Sequence, residues 1–321
     1  MTPRYSRRIS LLLFLGLCLI LIGCSGDQIS PSRPPSSPSA NKNDSPDTSS
    51  ATRDNTPEVL TPSADGKDTY TCDVSTIDAS NVAEGYVMVN YTGTNPKVKL
   101  QITGPDAITY TYNLHGDYEV FPLTAGDGDY TVTVFENVSG TQYSTALSEQ
   151  IPVKISNTFG PFLYPNQYVN FNSSSPAVAK AAQLAASASS DLDVVSSIYN
   201  YIIDNYTYDY DKAANVASGY LPDVDEIFEI KTGICLDYAA VMASMLRSQQ
   251  IPTKLEVGYA GEAYHAWIST YVNDIGWING IIQFDGVNWS LMDPTFAANA
   301  GSKQLKSFIG DGSNYVTKYN Y

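Results

Sequence analysis

Alternating hydrophobic and polar residues mark the first folded part of the chain as β-structure. Between residues 68 and 156, short segments rich in β-branched and aromatic residues are separated by turn sequences that contain glycine or proline. The predicted strands are Tyr86–Tyr91, Val98–Ile102, Ile108–Leu114, Tyr118–Leu123 and Tyr130–Phe135. Short strands at this spacing predict an all-β sandwich of immunoglobulin-like or fibronectin-like type.

A change of hydrophobic period marks a second folded part after the segment 157–172, which is rich in proline and aromatic residues. Apolar residues then recur at helical spacing, as at Val195, Ile198 and Ile202. Helices are predicted at Ala177–Ser189, Asp191–Asn205 and Cys235–Gln249, and a short helical stretch is predicted to follow Pro222 and Asp223 and to end at Ile230. Asp191 is the expected N-cap residue of the second helix.

Beyond Pro252 the pattern returns to strands, because proline stops any continuation of the preceding helix. The predicted strands are Lys254–Tyr259, His265–Val272 and Trp289–Met292. A helix layer followed by an antiparallel sheet is an α+β arrangement. We therefore expect an α+β domain over residues 157–321, preceded by the all-β sandwich domain over residues 68–156.

The first 23 residues have the features of an export signal. Three arginines precede an apolar stretch, Ile9–Ile22, that is too short for a comfortable membrane span. The sequence Leu21–Cys24 resembles a bacterial lipobox, in which the cysteine is diacylated and becomes the first residue of the mature protein. We expect an exported protein held at the extracytoplasmic face of a bacterial membrane by lipidated Cys24. A plain signal peptide or a signal anchor is the alternative.

Residues 24–67 are predicted to form a disordered tether. They are rich in serine, proline, asparagine, aspartate and threonine, and they contain too few apolar residues to bury a core. The 321-residue chain has a formal net charge of −15, and removal of residues 1–23, which carry three arginines and no acid, makes it −18. This charge and the lack of a basic patch exclude nucleic acid as an expected partner.

Two of the four cysteines remain once the export signal is set aside. Cys18 lies in the apolar stretch and Cys24 is the expected lipid site, so Cys72 and Cys235 are left. An exported pair of cysteines can form a disulfide. The position of Cys235 at the start of a helix, two residues after Gly233, favours a free reactive thiol instead.

Three side chains offer the chemistry of acyl transfer. Cys235 begins a predicted helix, His265 lies in a predicted strand, and Asp293 follows the last predicted strand. A helix N-terminus stabilises a thiolate, and its free N–H groups can bind an oxyanion. An imidazole completes the ion pair and protonates a leaving amine, while a carboxylate fixes the imidazole tautomer. Gly233 leaves room for a substrate to approach the sulfur.

The sequence around these residues resembles the core of the transglutaminase-like superfamily, a circularly permuted relative of papain-type cysteine proteases. The matching motifs are Thr232-Gly233-Ile234-Cys235 with Tyr238-Ala239, then Gly258-Tyr259, His265-Ala266-Trp267 and Asp293-Pro294-Thr295. The order of cysteine, histidine and aspartate is that of the family. The resemblance covers residues 194–296 and implies a papain-like α+β fold for this segment.

The resemblance implies a role for each residue of the triad. Cys235 would be the nucleophile, His265 the base and acid, and Asp293 the residue that orients the imidazole. The family uses an aromatic donor upstream of its cysteine, which makes Tyr208 a candidate second oxyanion donor; a tyrosine packed in the core is the alternative.

Other residues are candidates for the substrate cleft, namely Gly233, Tyr259 and Trp267. The segment 270–288 is longer than in the shortest family members and reads as a hairpin insertion that walls one side of the cleft. Two tryptophans either line this cleft or pack beneath it: Trp277 and Trp289.

The resemblance leaves the acceptor of the reaction open. The family includes protein cross-linking transglutaminases, cysteine proteases and peptide amidases, which share a thioester at the cysteine and differ in whether an amine or water takes the acyl group. The expected substrates are peptides or proteins of the cell envelope. Two histidines and two mature thiols provide no metal-ligand cluster, so neither metal nor cofactor is expected. The alternative is a non-catalytic binding or scaffold lipoprotein at the cell surface.

Overall fold

The structure is a computed structural model that describes residues 53–273, 275–278, 282–284, 289–291 and 315–321. The predicted export signal, Cys24 and Asp293 lie outside these residues. In the described part of the chain, no helix is both long and apolar enough to cross a membrane.

Eight strands form the N-terminal part of the structure. They are β1 (Thr69–Thr71), β2 (Ser75–Asp78), β3 (Tyr86–Tyr91), β4 (Val98–Thr103), β5 (Thr109–Leu114), β6 (Glu119–Pro122), β7 (Gly128–Ser139) and β8 (Gln142–Val153). They make two four-stranded antiparallel sheets, in the orders β1-β2-β3-β6 and β5-β4-β7-β8. All five predicted strands are present, and β1, β2 and β8 are additional.

Alternation along the strands builds one core between the two sheets. In β4 the residues Val98, Leu100 and Ile102 are buried and their neighbours are half-buried. Ile77 and Val89 of the other sheet belong to the same hydrophobic core. Residues that alternate between buried and exposed positions are typical of sheets that pack through one face. The immunoglobulin-like or fibronectin-like type of this domain stays a prediction.

In the described residues, five α-helices and eight further strands make up the C-terminal part. The helices are α1 (Pro176–Ala185), α2 (Asp191–Asn205), α3 (Tyr210–Asn215), α4 (Val224–Ile230) and α5 (Cys235–Arg247). Strands β9 (Thr207–Tyr208) and β10 (Thr232–Gly233) pair with each other. The remaining strands are β11 (Thr253–Ala260), β12 (Ala263–Val272), β13 (Gly276–Ile278), β14 (Ile282–Phe284), β15 (Trp289–Leu291) and β16 (Tyr315–Asn320). The N-cap of α2 is Ser190, whose side chain accepts from the backbone N–H of Asp193, rather than Asp191 as predicted.

Helix α5 lies between the other helices and the C-terminal sheet. It contacts α1, α2 and α4 on one side and β11 and β12 on the other, and every residue from Asp237 to Arg247 is buried. The sheet is antiparallel in the order β13-β12-β11-β16. This arrangement confirms the predicted α+β class for the C-terminal part. It also explains why α5 is apolar around its whole circumference.

The end of the predicted tether lies against the C-terminal part. Arg53 forms an ion pair with Asp191, with 2.7 Å between Nε and Oδ1. The backbone N–H of Glu58 donates to the carbonyl of Ser248 at 2.9 Å. Folded structure therefore begins before residue 68, because these contacts fix a segment whose composition alone predicts disorder.

The C-terminal residue connects the two parts of the described chain. The ring of Tyr321 lies 4.0 Å from that of Tyr168 and 6.1 Å from that of Tyr112 in β5, measured between centroids. Its backbone exchanges two hydrogen bonds with Leu255 of β11. The division at residue 157 into independent domains stays a prediction.

Arg247 is buried at the end of α5 and binds carbonyl oxygens from three segments. Its guanidinium donates to Thr253 at 2.8 and 3.0 Å, to Tyr164 at 2.7 Å and to Tyr321 at 2.7 Å. Burial lowers the pKa of Arg247 to about 9, so the group stays charged at neutral pH. The planar, forked guanidinium suits several carbonyls at once.

We expect Arg247→Met to lower the free energy of unfolding by about 2–4 kcal/mol, because it leaves these buried carbonyl oxygens without donors. Urea denaturation followed by circular dichroism measures the change. Lys67→Met is the control, since that lysine forms an exposed ion pair with Asp65 and should cost under about 1 kcal/mol. Equal effects of the two substitutions would contradict the role assigned to Arg247.

Candidate active site

Cys235 is the first residue of α5, and the chain enters the helix there through an extended Ile234. The Ile234 side chain has no hydrogen-bond acceptor, so it cannot cap the helix. The carboxylate of Asp237, in the first turn, instead accepts from the backbone N–H of Ile234 at 2.9 Å. Cys235 is half-buried. Cys72 and Cys235 are both free thiols, so the disulfide alternative is not realised in this structure.

The short β9–β10 ladder positions Tyr208 beside the approach to the thiol. Tyr208 pairs with Gly233 in parallel register, and the backbone N–H of Asp209 donates to the carbonyl of Gly233 at 2.9 Å. The ring of Tyr208 is half-buried, with its centroid 6.4 Å from that of Tyr238 in α5. Tyr208 therefore lies next to the start of the thiol helix, and its role as an oxyanion donor stays a prediction.

Gly233 has a structural reason to be glycine. A Cβ at this position would lie 2.6 Å from Cβ of Asp237 and 2.7 Å from its carboxylate oxygen Oδ2. Such contacts are too close for any side chain. The space above Gly233 is thus partly filled by Asp237, and the predicted use of Gly233 in a substrate cleft remains a prediction.

His265 lies near the beginning of β12, opposite Gly258 of β11. It is buried, with its ring centroid 6.2 Å from that of Trp267 and 6.4 Å from that of Tyr315. Gly258 is required because a Cβ there would meet the carbonyl oxygen of Val316 at 2.0 Å. The imidazole is therefore held in an aromatic setting beside a close strand–strand contact.

Trp267 is also buried and is part of a polar pair across the sheet. It lies opposite Glu256, whose carboxylate accepts from its side chain and, at 2.9 Å, from Oγ of Ser269. Burial raises the pKa of Glu256, and these two hydrogen bonds oppose that rise. A cleft role for Trp267 stays a prediction, and its observed contacts are those of a residue that supports the strand of His265.

Tyr264 is a residue of this site that the sequence analysis did not assign. It is exposed, and its ring centroid lies 5.5 Å from that of Tyr259 directly across the ladder. Although 61% of Tyr264 is exposed, partial desolvation of its phenol raises its pKa, and charges on neighbouring tyrosines and on Cys235 add to the rise. Tyr264 and the predicted cleft residue Tyr259 thus form an aromatic wall across the β11–β12 ladder. The signal available in the sequence was the position of Tyr264, directly before the predicted strand that begins at His265.

Three more residues were missed, and they meet at the first turn of α5, which begins with Cys235. Asp237 is completely buried; its oxygens accept from Nζ of Lys212 at 2.6 Å and from the hydroxyl of Tyr220 at 2.7 Å. An acid at the third position of a helix is a capping signal that sequence can reveal. The partners Lys212 and Tyr220 come from α3 and the loop after it. This segment has no hydrophobic periodicity from which their position could be predicted.

The predicted insertion consists of strands in its described parts. β12 and β13 form a hairpin, and β14 pairs with β15. Trp277 packs against Phe162 of the connecting segment, with 5.3 Å between centroids, and lies under Nζ of Lys254 at 4.1 Å. Trp277 is therefore a packing residue in this structure. Nothing about the side chain of Trp289, or about Asp293, falls within the described residues.

The structure brings several predicted residues to one region. Cys235, Gly233 and Tyr208 meet at the start of α5. Helix α5 packs against β12, the strand that carries His265. Adjacent residues of a strand point to opposite faces, so His265 and Tyr264, which lies within range of the charge of Cys235, are on opposite faces of β12. A helix N-terminus, a thiol and an adjacent imidazole-bearing strand are the elements of nucleophilic acyl transfer.

A family comparison agrees with this geometry. Residues 178–280 match the family model described as the transglutaminase-like superfamily. The matched segment includes Tyr208, Cys235 and His265. This match confirms the resemblance to the transglutaminase-like superfamily that the motifs predicted for this segment.

A curated relative is similar over part of the chain. The uncharacterized protein YebA of Bacillus subtilis (strain 168) is 24% identical over 178 residues, which make up 47% of this chain and 22% of YebA. The chain thus spans about a fifth of the length of this relative.

Two solved structures are similar at low sequence identity. A Cytophaga hutchinsonii protein provisionally described as a cysteine protease is 18% identical, covers 71% of this chain and 68% of its own, and has a TM-score of 0.34. The periplasmic domain of TgpA from Pseudomonas aeruginosa, solved with ethylmercury, is 14% identical, covers 72% of this chain and 98% of its own, and also has a TM-score of 0.34.

Proposed function

We propose that the protein is a surface-anchored thiol enzyme that cleaves or transfers the acyl group of peptide or protein amides at the bacterial cell envelope. The observation that carries this proposal is the position of Cys235: a free thiol on the first residue of a buried helix that packs against β12, the strand of His265. At the start of a helix, backbone N–H groups without intrahelical partners can stabilise a thiolate and an oxyanion.

The proposed chemistry proceeds through a thioester. The Cys235 thiolate attacks the amide carbonyl carbon, and the negative charge that develops on the carbonyl oxygen is bound by N–H groups at the start of α5, with Tyr208 as a second donor. The C–N bond breaks as the His265 imidazolium gives its proton to the leaving nitrogen. Asp293 orients the imidazole. Water or a primary amine then attacks the thioester and releases Cys235.

The acceptor is determined by an assay that offers both choices. Glutamine-containing envelope peptides are incubated with the protein, with and without a fluorescent primary amine, and released ammonia, cleaved peptide and incorporated amine are measured. Amine incorporation indicates transglutamination, and release without incorporation indicates a protease or amidase. If no Cys235-dependent turnover is found with several substrates, the enzyme hypothesis is wrong and the alternative, a non-catalytic binding or scaffold lipoprotein, replaces it.

Membrane anchoring is the second part of the proposal and rests on the motif ending at Cys24. We expect Cys24→Ala to leave an unprocessed precursor or a released soluble form, because no thiol remains to receive the lipid. Metabolic labelling with a radioactive fatty acid measures this, and Cys18→Ala is the matched control that should label normally. Normal labelling of the Cys24→Ala protein would show that the lipobox interpretation is wrong.

A further inference from the structure

We propose that Lys212, Tyr220 and Asp237 form a charge-compensated clamp that positions Cys235 and sets the reactivity of its thiol. This inference rests on the proposed function, because it assigns a purpose to groups that touch the thiol helix and not the substrate. All three act as positioning residues, and the charge of Lys212 is the feature on which the clamp depends.

The clamp joins two segments that are distant in sequence. Asp237 is buried in the first turn of α5, and its carboxylate accepts from the Ile234 N–H at 2.9 Å, from Lys212 Nζ at 2.6 Å and from the Tyr220 hydroxyl at 2.7 Å. Lys212 Nζ also donates to the Tyr220 hydroxyl at 2.7 Å and lies 4.4 Å from the centroid of that ring. Each of the three side chains therefore contacts the other two.

The contacts fix the backbone at the thiol. Asp237 fills the space above Gly233 and holds Ile234, so the two residues before Cys235 are set by one carboxylate. Helix α3, which carries Lys212, is capped by Asp209, whose backbone N–H donates to the Gly233 carbonyl. The residues just before Cys235 are therefore held by Asp237 from α5 and by Asp209 at the start of the helix that carries Lys212.

The electrostatic consequence follows from the charges. Asp237 brings a negative charge close to the place where a thiolate must form, and a like charge disfavours the charged form of a thiol. The positive charge of Lys212 compensates the charge of Asp237 from within the same cluster. The Lys212 side chain itself is 26% exposed. A neutral pair leaves the N-terminal end of α5 free to favour the thiolate.

Other ionisable groups lie around the clamp and the thiol. The carboxylates of Asp223 and Glu226 act on Tyr220 together with Asp237. Tyr208 pairs with Gly233 through the backbone, and the charge of Cys235 adds to the rise in the pKa of Tyr264. Burial also holds the pKa of Tyr220 well above its usual range, and the carboxylate of Asp237 adds to this, so Tyr220 donates as a neutral phenol. Asp223, Glu226 and His265 are kept unchanged in every variant of the test.

The test is the pH profile of iodoacetamide alkylation at Cys235, followed by peptide mass spectrometry on the full chain. Lys212→Met should move the midpoint upward by about one pH unit, because Asp237 is then uncompensated. The double variant Lys212→Met/Asp237→Asn removes both charges and should return the midpoint close to that of the wild type. Lys212→Arg should also stay close to the wild type, since it keeps the charge.

Two results would overturn the clamp: an unchanged midpoint in folded Lys212→Met, or a double variant that keeps the whole shift. If Lys212→Met does not fold by circular dichroism, Tyr220→Phe replaces it. That variant removes one hydrogen bond to Asp237 and should raise the midpoint by a smaller amount, and no change would equally overturn the proposal. Alkylation needs no substrate, so a wild-type protein without turnover but with this pattern of midpoints would refute the proposed function and leave the clamp standing.

Discussion

Replacing Cys235 with alanine is expected to reduce amide acyl transfer by about 10³-fold or more, because the thioester can no longer form. Turnover of a glutamine-containing peptide, measured as released ammonia or incorporated amine, gives the number. Cys72→Ala is the matched control: Cys72 is also a free, half-buried thiol, but it follows β1 in the N-terminal sheets. Comparable losses in the two variants would contradict a nucleophile at Cys235.

The same assay tests whether the three residues of the triad act as one unit. His265→Ala should lose about as much as Cys235→Ala, and the double variant should lose little more, since groups that act on one step are not additive. Asp293→Asn should be less harmful, because it misorients the base and leaves the nucleophile. Losses that multiply in the double variant would show that His265 acts elsewhere.

The second large effect is expected in the alkylation of Cys235 itself. An ordinary thiol ionises near pH 8.5, whereas a thiol at a helix N-terminus that is paired with an imidazole reacts at much lower pH. We expect iodoacetamide to modify Cys235 in the wild type well below pH 8.5, and His265→Ala to move the profile towards that of an ordinary thiol. Cys72 of the same protein serves as an internal reference. A wild-type profile centred near pH 8.5 and unchanged by His265→Ala would identify Cys235 as a structural cysteine.

Strong hydrophobic periods made most of the fold predictable. The strand Tyr86–Tyr91 and the start of α5 at Cys235 are found where the sequence puts them, because alternation and helical spacing report directly on burial. β8 was missed for the opposite reason. Its twelve residues are largely polar and exposed, and its place at the edge of a sheet is determined by pairing with β7.

The candidate site was predictable where chemistry and local structure coincide. Cys235 and His265 stand out as rare residue types at a helix start and in a strand. Lys212 and Tyr220 do not stand out, because their role depends on hydrogen bonds to the buried carboxylate of Asp237. That residue lies 25 and 17 positions further along the chain. Contacts of this kind depend on the folded loop after α3, which carries no pattern of its own.

The same limit applies to the aromatic wall and to the end of the tether. Tyr264 could be placed on β12 from its neighbours, but its pairing with Tyr259 needs the register of two strands. Residues 53–58 read as part of a polar linker, yet an ion pair and backbone hydrogen bonds bind them to α2 and to the end of α5. Composition shows that such a segment cannot form a hydrophobic core of its own. It does not show whether the segment packs against the core of another part of the chain.

The most direct test of the central claim is to trap the acyl group on Cys235. The wild-type protein is mixed with a glutamine-containing peptide, quenched in acid within a turnover and analysed by intact mass and peptide mapping. The account predicts an adduct equal in mass to the acyl part of the peptide, located on Cys235, removed by hydroxylamine and missing from Cys235→Ala. An unmodified Cys235 with every peptide that the protein turns over, or an adduct that survives in Cys235→Ala, would contradict it.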